Sequence, residues 1–131
     1  MKKLVIYTDG ASRGNPGRAA IGAILKDEKG ALVATISRGI GKATNNQAEY
    51  QAVIAALEKA ISMGADSVEL NSDSELIVKQ IKGQYRVKKE SLRPLYENVM
   101  QLKSRLDNFR IRHVQRERNW EADKLANAAL G

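Results

Sequence analysis

Residues 4–17 read LVIYTDGASRGNPG, an apolar stretch that ends at Asp9 and runs directly into a glycine-rich turn. Both faces of the apolar part are suited to burial, which predicts a central strand of a sheet. A carboxylate at the end of a buried strand is costly unless a positive charge compensates it. The stretch therefore predicts the middle of the fold and a site at its carboxyl end, where open α/β sheets usually bind ligands.

The chain length and composition indicate one globular domain. The 131 residues, 43% of them hydrophobic, suffice for one core and are too few for two. No run approaches the roughly 20 apolar residues of a membrane span, and the apolar run from Leu4 is too short for a signal peptide. The absence of cysteine excludes disulfides, thiol catalysis and cysteine–zinc sites. We expect a single cytoplasmic domain over residues 1–131, without membrane contact or an obligate protein partner.

The charge balance is basic, with 22 Lys+Arg against 15 Asp+Glu and a net charge of +7. A solvated basic surface would explain this balance without any special function. However, many of the basic residues cluster in two stretches, residues 79–93 and 110–118. Clustering of this kind is more typical of a face that binds nucleic acid.

Apolar periodicity and turn residues predict three strands, a helix, a strand, two helices, a strand and a final helix. This order indicates a mixed sheet covered by helices. Asp73 or Ser74 would cap the second helix, Ser91 would cap the third, and Asn119 would open the last. The predicted strands are 4–9, 20–26, 31–39, 67–71 and 109–115, and the first three helices are 45–62, the segment ending at 81, and the segment from 91 to about 106.

Four acids occupy positions that point to one site. Asp9 ends the first strand, and Asp73 follows the fourth strand and opens a helix. Glu49 lies on the apolar stripe of the first helix, and Asp123 lies one turn into the last helix, beside its apolar stripe. Taken singly, Asp73 could be an N-cap, Asp123 a first-turn acid and Asp9 a turn former. Glu49 has no such simple explanation.

Four converging carboxylates would repel one another and their pKa values would rise. A hard divalent cation relieves this repulsion, and Mg²⁺ prefers oxygen ligands. Two such ions about 3.5–4 Å apart are suited to in-line phosphodiester hydrolysis. The set of acids on a basic chain therefore predicts a metal-dependent nuclease.

Four segments, in this order, resemble the motifs of the type 1 ribonuclease H family: YTDGASRGNPG with Asp9, ATNNQAEYQAVIAAL with Glu49, LNSDSELIVKQI with Asp73, and RERNWEADKLAN with Asp123. The resemblance extends over essentially the whole chain. It implies the α/β ribonuclease H-like fold, a mixed sheet of three antiparallel and then two parallel strands flanked by helices. It also implies that all four acids are catalytic metal ligands.

The activity implied by this resemblance is hydrolysis of the RNA strand of RNA/DNA hybrids, leaving 5′-phosphate and 3′-hydroxyl ends. Mg²⁺ is the expected cofactor and Mn²⁺ the expected substitute, in a two-metal-ion mechanism. Double-stranded RNA is a second candidate substrate. Two alternatives stay open: a catalytically weak or inactive hybrid-binding module with the same fold, and another phosphoryl-transfer enzyme such as a transposase or junction resolvase.

The resemblance also implies substrate contacts at Asn15, Thr44, Asn45 and Asn46, with Thr44 matching a residue that holds a DNA phosphate. A helix N-terminus with exposed amides is a good phosphate seat, although capping also explains Thr44 and Asn45. Glu75 stands where many members have a glutamine that contacts the minor groove. We include Glu75 among the candidate substrate-binding residues.

The chain departs from many family members in two segments. Many members have a histidine loop before the last acid, whereas here the only histidine is His113, within a predicted strand, where we expect a structural role. In the short-loop members that this chain resembles, an arginine takes that place, and Arg116 is the candidate. The extended basic protrusion of some members is also missing, because residues 82–93 form only a short basic connection.

Overall fold

The computed structural model describes residues 2–131, and the predicted mixed five-stranded sheet is confirmed. The spatial strand order is β3-β2-β1-β4-β5, so the strand that carries Asp9 is central. The first three strands pair antiparallel, and β4 and β5 continue the sheet in parallel with β1. The strands are β1 (Lys3–Ser12), β2 (Gly17–Lys26), β3 (Leu32–Ala43), β4 (Ser67–Ser72) and β5 (Asn108–His113).

Within residues 2–131, four α-helices cover the sheet, and a short 3₁₀ turn over Arg116–Asn119 precedes the last of them. Among the described residues, no helix combines the length and the apolar composition that crossing a membrane requires. The helices are α1 (Asn45–Ser62), α2 (Glu75–Ile81), α3 (Arg93–Lys103) and α4 (Trp120–Leu130).

The main core lies between the sheet and α1. The predicted apolar stripe of α1 is buried and packs on apolar residues of the central strands. Burying each large aliphatic side chain contributes about 1.5–3 kcal/mol, so this interface is a major source of stability. Its fully buried side chains include Leu4, Ile6, Leu25, Tyr50, Val53, Leu57 and Leu70.

The predicted N-cap of α3 is wrong by one residue. Ser91 does not cap this helix; Leu92 occupies the N-cap position and makes no side-chain capping bond. Pro94 has no amide hydrogen and fits only in a first turn, which is consistent with a start at Arg93. The helix also ends at Lys103, before Leu106.

Asn119 precedes α4 as predicted, but its side chain does not cap the helix. Instead the buried Asn119 side-chain amide donates a 2.8 Å hydrogen bond to the carbonyl of Thr8 on β1. The start of α4 is therefore tied to the residue that immediately precedes Asp9. Ser74, rather than Asp73, caps α2 by accepting from the Ile77 amide at 3.4 Å.

Two glycines allow α1 and α4 to approach opposite faces of the sheet. A Cβ at Gly10 would lie 2.4 Å from the backbone nitrogen of Glu49, and one at Gly22 would lie 2.2 Å from the carbonyl oxygen of Ala122. Gly22 pairs with Asp9 across β1 and β2, and successive residues of a strand face opposite sides. The two helices therefore contact the sheet next to the end of the Asp9 strand, one on each side.

Bonds along its whole length hold α4 in this position. Lys26 on β2 pairs with Glu121 at 3.4 Å, and the Ser37 hydroxyl on β3 donates to the Leu125 carbonyl at 2.6 Å. The Arg18 guanidinium donates to the Leu130 carbonyl near the end of the helix. These contacts fix the rotation of α4 and thus the direction in which Asp123 faces.

We expect Gly22→Ala to lower the free energy of unfolding by about 1–3 kcal/mol, because the added methyl group overlaps the backbone of α4. Gly39→Ala on β3 is the matched control, since its nearest neighbour would be 3.9 Å away and its stability should be unchanged or slightly higher. Urea unfolding of both variants measures the difference. Equal midpoints and slopes would contradict the close-packing explanation.

Candidate active site

The four predicted acids line one cavity of about 410 Å³ at the carboxyl ends of β1 and β4. Asp9 and Glu49 are buried, at 7% and 4% exposure, whereas Asp73 and Asp123 are half-buried. The cavity therefore has a buried acidic floor and a more accessible acidic rim. Other lining residues that bear on its chemistry are Ser12, Asn45, Ser74, Arg116 and Asn127.

Three of the acids form a compact cluster. Asp9, Glu49 and Asp73 each place a carboxylate oxygen so that the three atoms lie within 4.8 Å of one another. Asp123 lies outside this group of three but contacts it, because its carboxyl group hydrogen-bonds with that of Asp9. The arrangement concentrates oxygen donors in a volume suited to a hard cation.

The electrostatics of the cluster favour protonation when no cation is bound. Burial raises the pKa of Asp9 well above its ordinary range, and the charge and hydrogen bond of Glu49, the hydrogen bond of Asp123 and the charge of Asp73 raise it further. Burial also raises the pKa of Glu49, and it outweighs the lowering effect of hydrogen bonds from Asp9 and Gly10. Among the described residues, no cationic side chain forms an ion pair with these two acids.

The Gly10 amide donates a hydrogen bond to Glu49 Oε1. This contact exists because α1 packs directly on the backbone of β1 at Gly10. The same close approach therefore brings Glu49 to the end of β1 and supplies the donor that orients its carboxylate.

The outer wall of the cavity combines Arg116 with Asp123 and Asn127. Arg116 is exposed on the 3₁₀ turn, and in the part of the chain that the structure describes it forms no ion pair. Asn127 lies one helical turn after Asp123 and bonds to it. This asparagine was missed by the sequence reasoning, although the four-residue spacing from Asp123 on one helix was the available signal.

The N-terminus of α1 lies beside the acids and is capped internally. The Thr44 hydroxyl accepts from the Gln47 amide at 3.1 Å, and the Gln47 side chain accepts from the Thr44 amide at 2.8 Å. Asn15 Oδ1 accepts from the Asn45 amide at 3.1 Å. Because this bond occupies the Asn15 side-chain oxygen, the Asn15 side-chain NH₂ is the group that remains for other partners.

Three of the predicted substrate-binding residues meet in a second, smaller hollow. Asn15, Thr44 and Asn46 line a space of about 120 Å³ together with Lys89 from the α2–α3 connection. Asn45 instead lines the acidic cavity. Lys89 adds a positive charge beside the neutral polar residues that the sequence assigned to substrate binding.

Two other residues lie outside both hollows. Glu75 is exposed in the first turn of α2 and pairs with Lys79 at 3.3 Å. His113 ends β5 with an exposed side chain, so burial does not explain a structural role for it. The connection from β5 to α4 contains only the short 3₁₀ turn between the two elements.

The chain matches the reverse transcriptase-like family over residues 7–129. It is 48% identical over 124 residues to a ribonuclease HI of Halobacterium salinarum, an alignment that covers 95% of this chain and 62% of that protein. The chain thus spans less than two thirds of the length of this relative.

Solved structures agree closely with the fold. The crystal structure of RNase H1 from the halophilic archaeon Halobacterium salinarum NRC-1 matches with a TM-score of 0.96 and 47% identity, covering 98% of this chain and 97% of that one. LC11-RNase H1, solved in complex with an RNA/DNA hybrid, matches with a TM-score of 0.91 and 44% identity, covering 96% of this chain and 95% of that one. These similarities confirm the family resemblance of the four motifs: the chain belongs to the reverse transcriptase-like family of ribonuclease H-like domains.

Proposed function

We propose that this chain is an endoribonuclease that hydrolyses the RNA strand of RNA/DNA hybrids with the help of divalent metal ions. The observation that carries the proposal is the acidic cluster of Asp9, Glu49 and Asp73, with Asp123 in contact, in an open cavity beside a helix N-terminus. LC11-RNase H1, which shares this fold at 44% identity, binds such a hybrid. An acidic cavity on a chain of net charge +7 suits a polyanionic substrate that needs metal ions at the scissile bond.

The residues present fit a hard divalent cation. The donors are carboxylate oxygens, the ligand type that Mg²⁺ prefers and Mn²⁺ also accepts. The raised pKa values of Asp9 and Glu49 indicate a surplus of negative charge that a cation would compensate. Asp9, Glu49, Asp73 and Asp123 would hold the metal, and two bound ions would activate water and neutralise the charge on the scissile phosphate.

The surrounding residues would bind and orient the hybrid. Asn15, Thr44 and Asn46, with Lys89, form a polar and positively charged hollow suited to a backbone phosphate. Asn45 links this hollow to the acids, because it lines the acidic cavity and its backbone amide donates to Asn15. Selectivity for a hybrid requires contact with the 2′-hydroxyl groups of one strand and with a second strand that lacks them.

Arg116 would act through its charge rather than by proton transfer. A guanidinium stays protonated at any physiological pH, so it cannot replace a histidine as an acid or base. Its exposed position at the cavity wall suits stabilisation of the phosphate charge that develops during cleavage. This role fits a short-loop member of the family, in which the histidine loop is absent.

Several further features belong to this proposal. Residues 1–131 would form a single cytoplasmic domain that leaves 5′-phosphate and 3′-hydroxyl ends. Double-stranded RNA is a second candidate substrate. Glu75 would contact the minor groove only if its ion pair with Lys79 breaks.

The alternative function is that of a hybrid-binding module of low activity. It is disfavoured because buried carboxylates that repel one another do not help binding alone.

We expect Asp9→Asn to remove cleavage of a labelled RNA strand annealed to DNA, because it removes one of the two buried charges of the proposed metal site. Asp107→Asn is the matched control, since this exposed acid precedes β5 at the opposite end of the sheet. Gel analysis of cleavage with Mg²⁺, Mn²⁺ or EDTA measures the effect. Equal cleavage by wild type and Asp9→Asn would contradict the assignment, and an inactive wild type that still binds the hybrid would favour the binding module.

We expect Asp9 and Glu49 to contribute progressively less to the thermal stability of the cation-free protein as the pH rises above about 4. Asp9 and Glu49 have raised pKa values in the folded state, so the folded protein keeps protons that the unfolded chain loses. Their contribution is fully present below the ordinary carboxyl pKa and is lost as the pH passes through the raised values.

The Tm of Asp9→Asn relative to wild type, measured in EDTA at about pH 5 and about pH 8, checks this expectation. The variant should gain stability over wild type at the higher pH, by several degrees, because about 1 kcal/mol corresponds to roughly 2–6 °C. Added Mg²⁺ should raise the Tm of wild type most at the higher pH. A difference that shrinks as the pH rises would refute the proposed charge surplus.

We expect Arg116→Ala to lower kcat by about tenfold with little change in stability. The loss should be smaller than the roughly 100-fold or greater cost of removing a buried charge-stabilising donor, because Arg116 is exposed. Arg118→Ala on the same 3₁₀ turn is the control, since Arg118 is exposed and does not line the cavity. Steady-state cleavage of the hybrid by both variants measures the effect. Equal kcat values for the two variants would contradict a role of Arg116 in cleavage.

A further inference from the structure

We propose that Asn127 is a positioning residue for Asp123: its side-chain amide sets the direction of the Asp123 carboxylate and thereby the affinity of the site for divalent cations. The inference rests on the proposed metal-dependent function. It adds an asparagine to the four acids that the sequence motifs assigned to the site. Asn127 lines the same cavity as the acids.

The geometry consists of two hydrogen bonds from one nitrogen. Asn127 Nδ2 lies 2.9 Å from the backbone carbonyl oxygen of Asp123 and 3.2 Å from Asp123 Oδ1. An amide nitrogen carries two hydrogens, so it can serve both acceptors at once. The bond to the backbone fixes the amide relative to the helix, and the bond to Oδ1 then fixes the carboxylate relative to the amide.

Asp123 needs such a donor more than the other acids do. Asp9 and Glu49 are buried, and Glu49 is oriented by the Gly10 amide, so packing restricts both side chains. Asp123 is half-buried on the rim and does not belong to the compact group of three. A partly exposed aspartate can change rotamer at little cost unless a hydrogen bond holds it.

The competing explanation is an ordinary bond along the helix surface with no effect on the site. That explanation concerns stability alone, and the two can be separated because alanine is the better helix former at an exposed position. Asn127→Ala should therefore fold with an unchanged or slightly higher Tm. A change in cation affinity in that variant would then have no structural cause outside the site.

The test is isothermal titration of the cation-free protein with Mn²⁺, together with Tm measurements, for wild type, Asn127→Ala, Asn127→Gln and Asn98→Ala. We expect Asn127→Ala to bind Mn²⁺ about tenfold more weakly than wild type. This loss of affinity is at the lower end of the range for removing a group that orients a metal ligand, because Asn127 is exposed. Asn127→Gln should regain most of the affinity, since a glutamine four residues from an aspartate can form the same bond. Asn98→Ala, an exposed asparagine on α3, should bind like wild type.

The outcomes separate this inference from the proposed function. Absence of Mn²⁺ binding by wild type would overturn the proposed function and the role of Asn127 with it. Binding by wild type and equal binding by Asn127→Ala would overturn the role of Asn127 alone. Failure of Asn127→Gln to recover affinity while Asn127→Ala is weakened would also overturn it, because the amide donor would then not be the active feature.

Discussion

The close contact of two helices with the glycines of two neighbouring strands is the constraint on which the site depends. Gly10 lets the backbone of α1 rest on β1, and Gly22 lets α4 rest on β2 opposite Asp9. Any side chain at either position would overlap backbone atoms that cannot move independently of their helix. Because Glu49 and Asp123 project from these helices, the two contacts decide whether the acids reach Asp9.

The site is electrostatically unfavourable by itself and depends on the surrounding packing. Burial and mutual repulsion raise the pKa values of Asp9 and Glu49, so a bound cation would remove a cost that the fold imposes on these two carboxylates. The Gly10 and Asn127 amides donate to Glu49 and Asp123, and they orient the acids without neutralising them. Such an arrangement favours a ligand that carries positive charge, which supports the proposed metal site.

Much of the architecture was predictable from local patterns. The bounds of α1, the central position of β1 and the hairpin of β2 and β3 follow from periodicity and turn residues, and the structure confirms them. The predicted N-cap of α3 was wrong because Leu92, rather than the cap-like Ser91, precedes the first helical residue, and no side-chain bond caps this helix. Asn119 opens the last helix as expected, but its side chain makes no capping bond and donates instead to the Thr8 carbonyl on β1.

The sequence by itself determined the order of elements, the family and the four acids, because periodicity, turn chemistry and motif spacing are properties of neighbouring residues. Only the tertiary structure decided which acids form the compact group, that Asn15 uses its oxygen on α1, and that Asn127 bonds to Asp123 at the cavity wall. It also brought Lys89 to the hollow beside Thr44. Distances between elements and the rotation of each helix depend on packing across the whole core, and no local stretch of sequence contains that information.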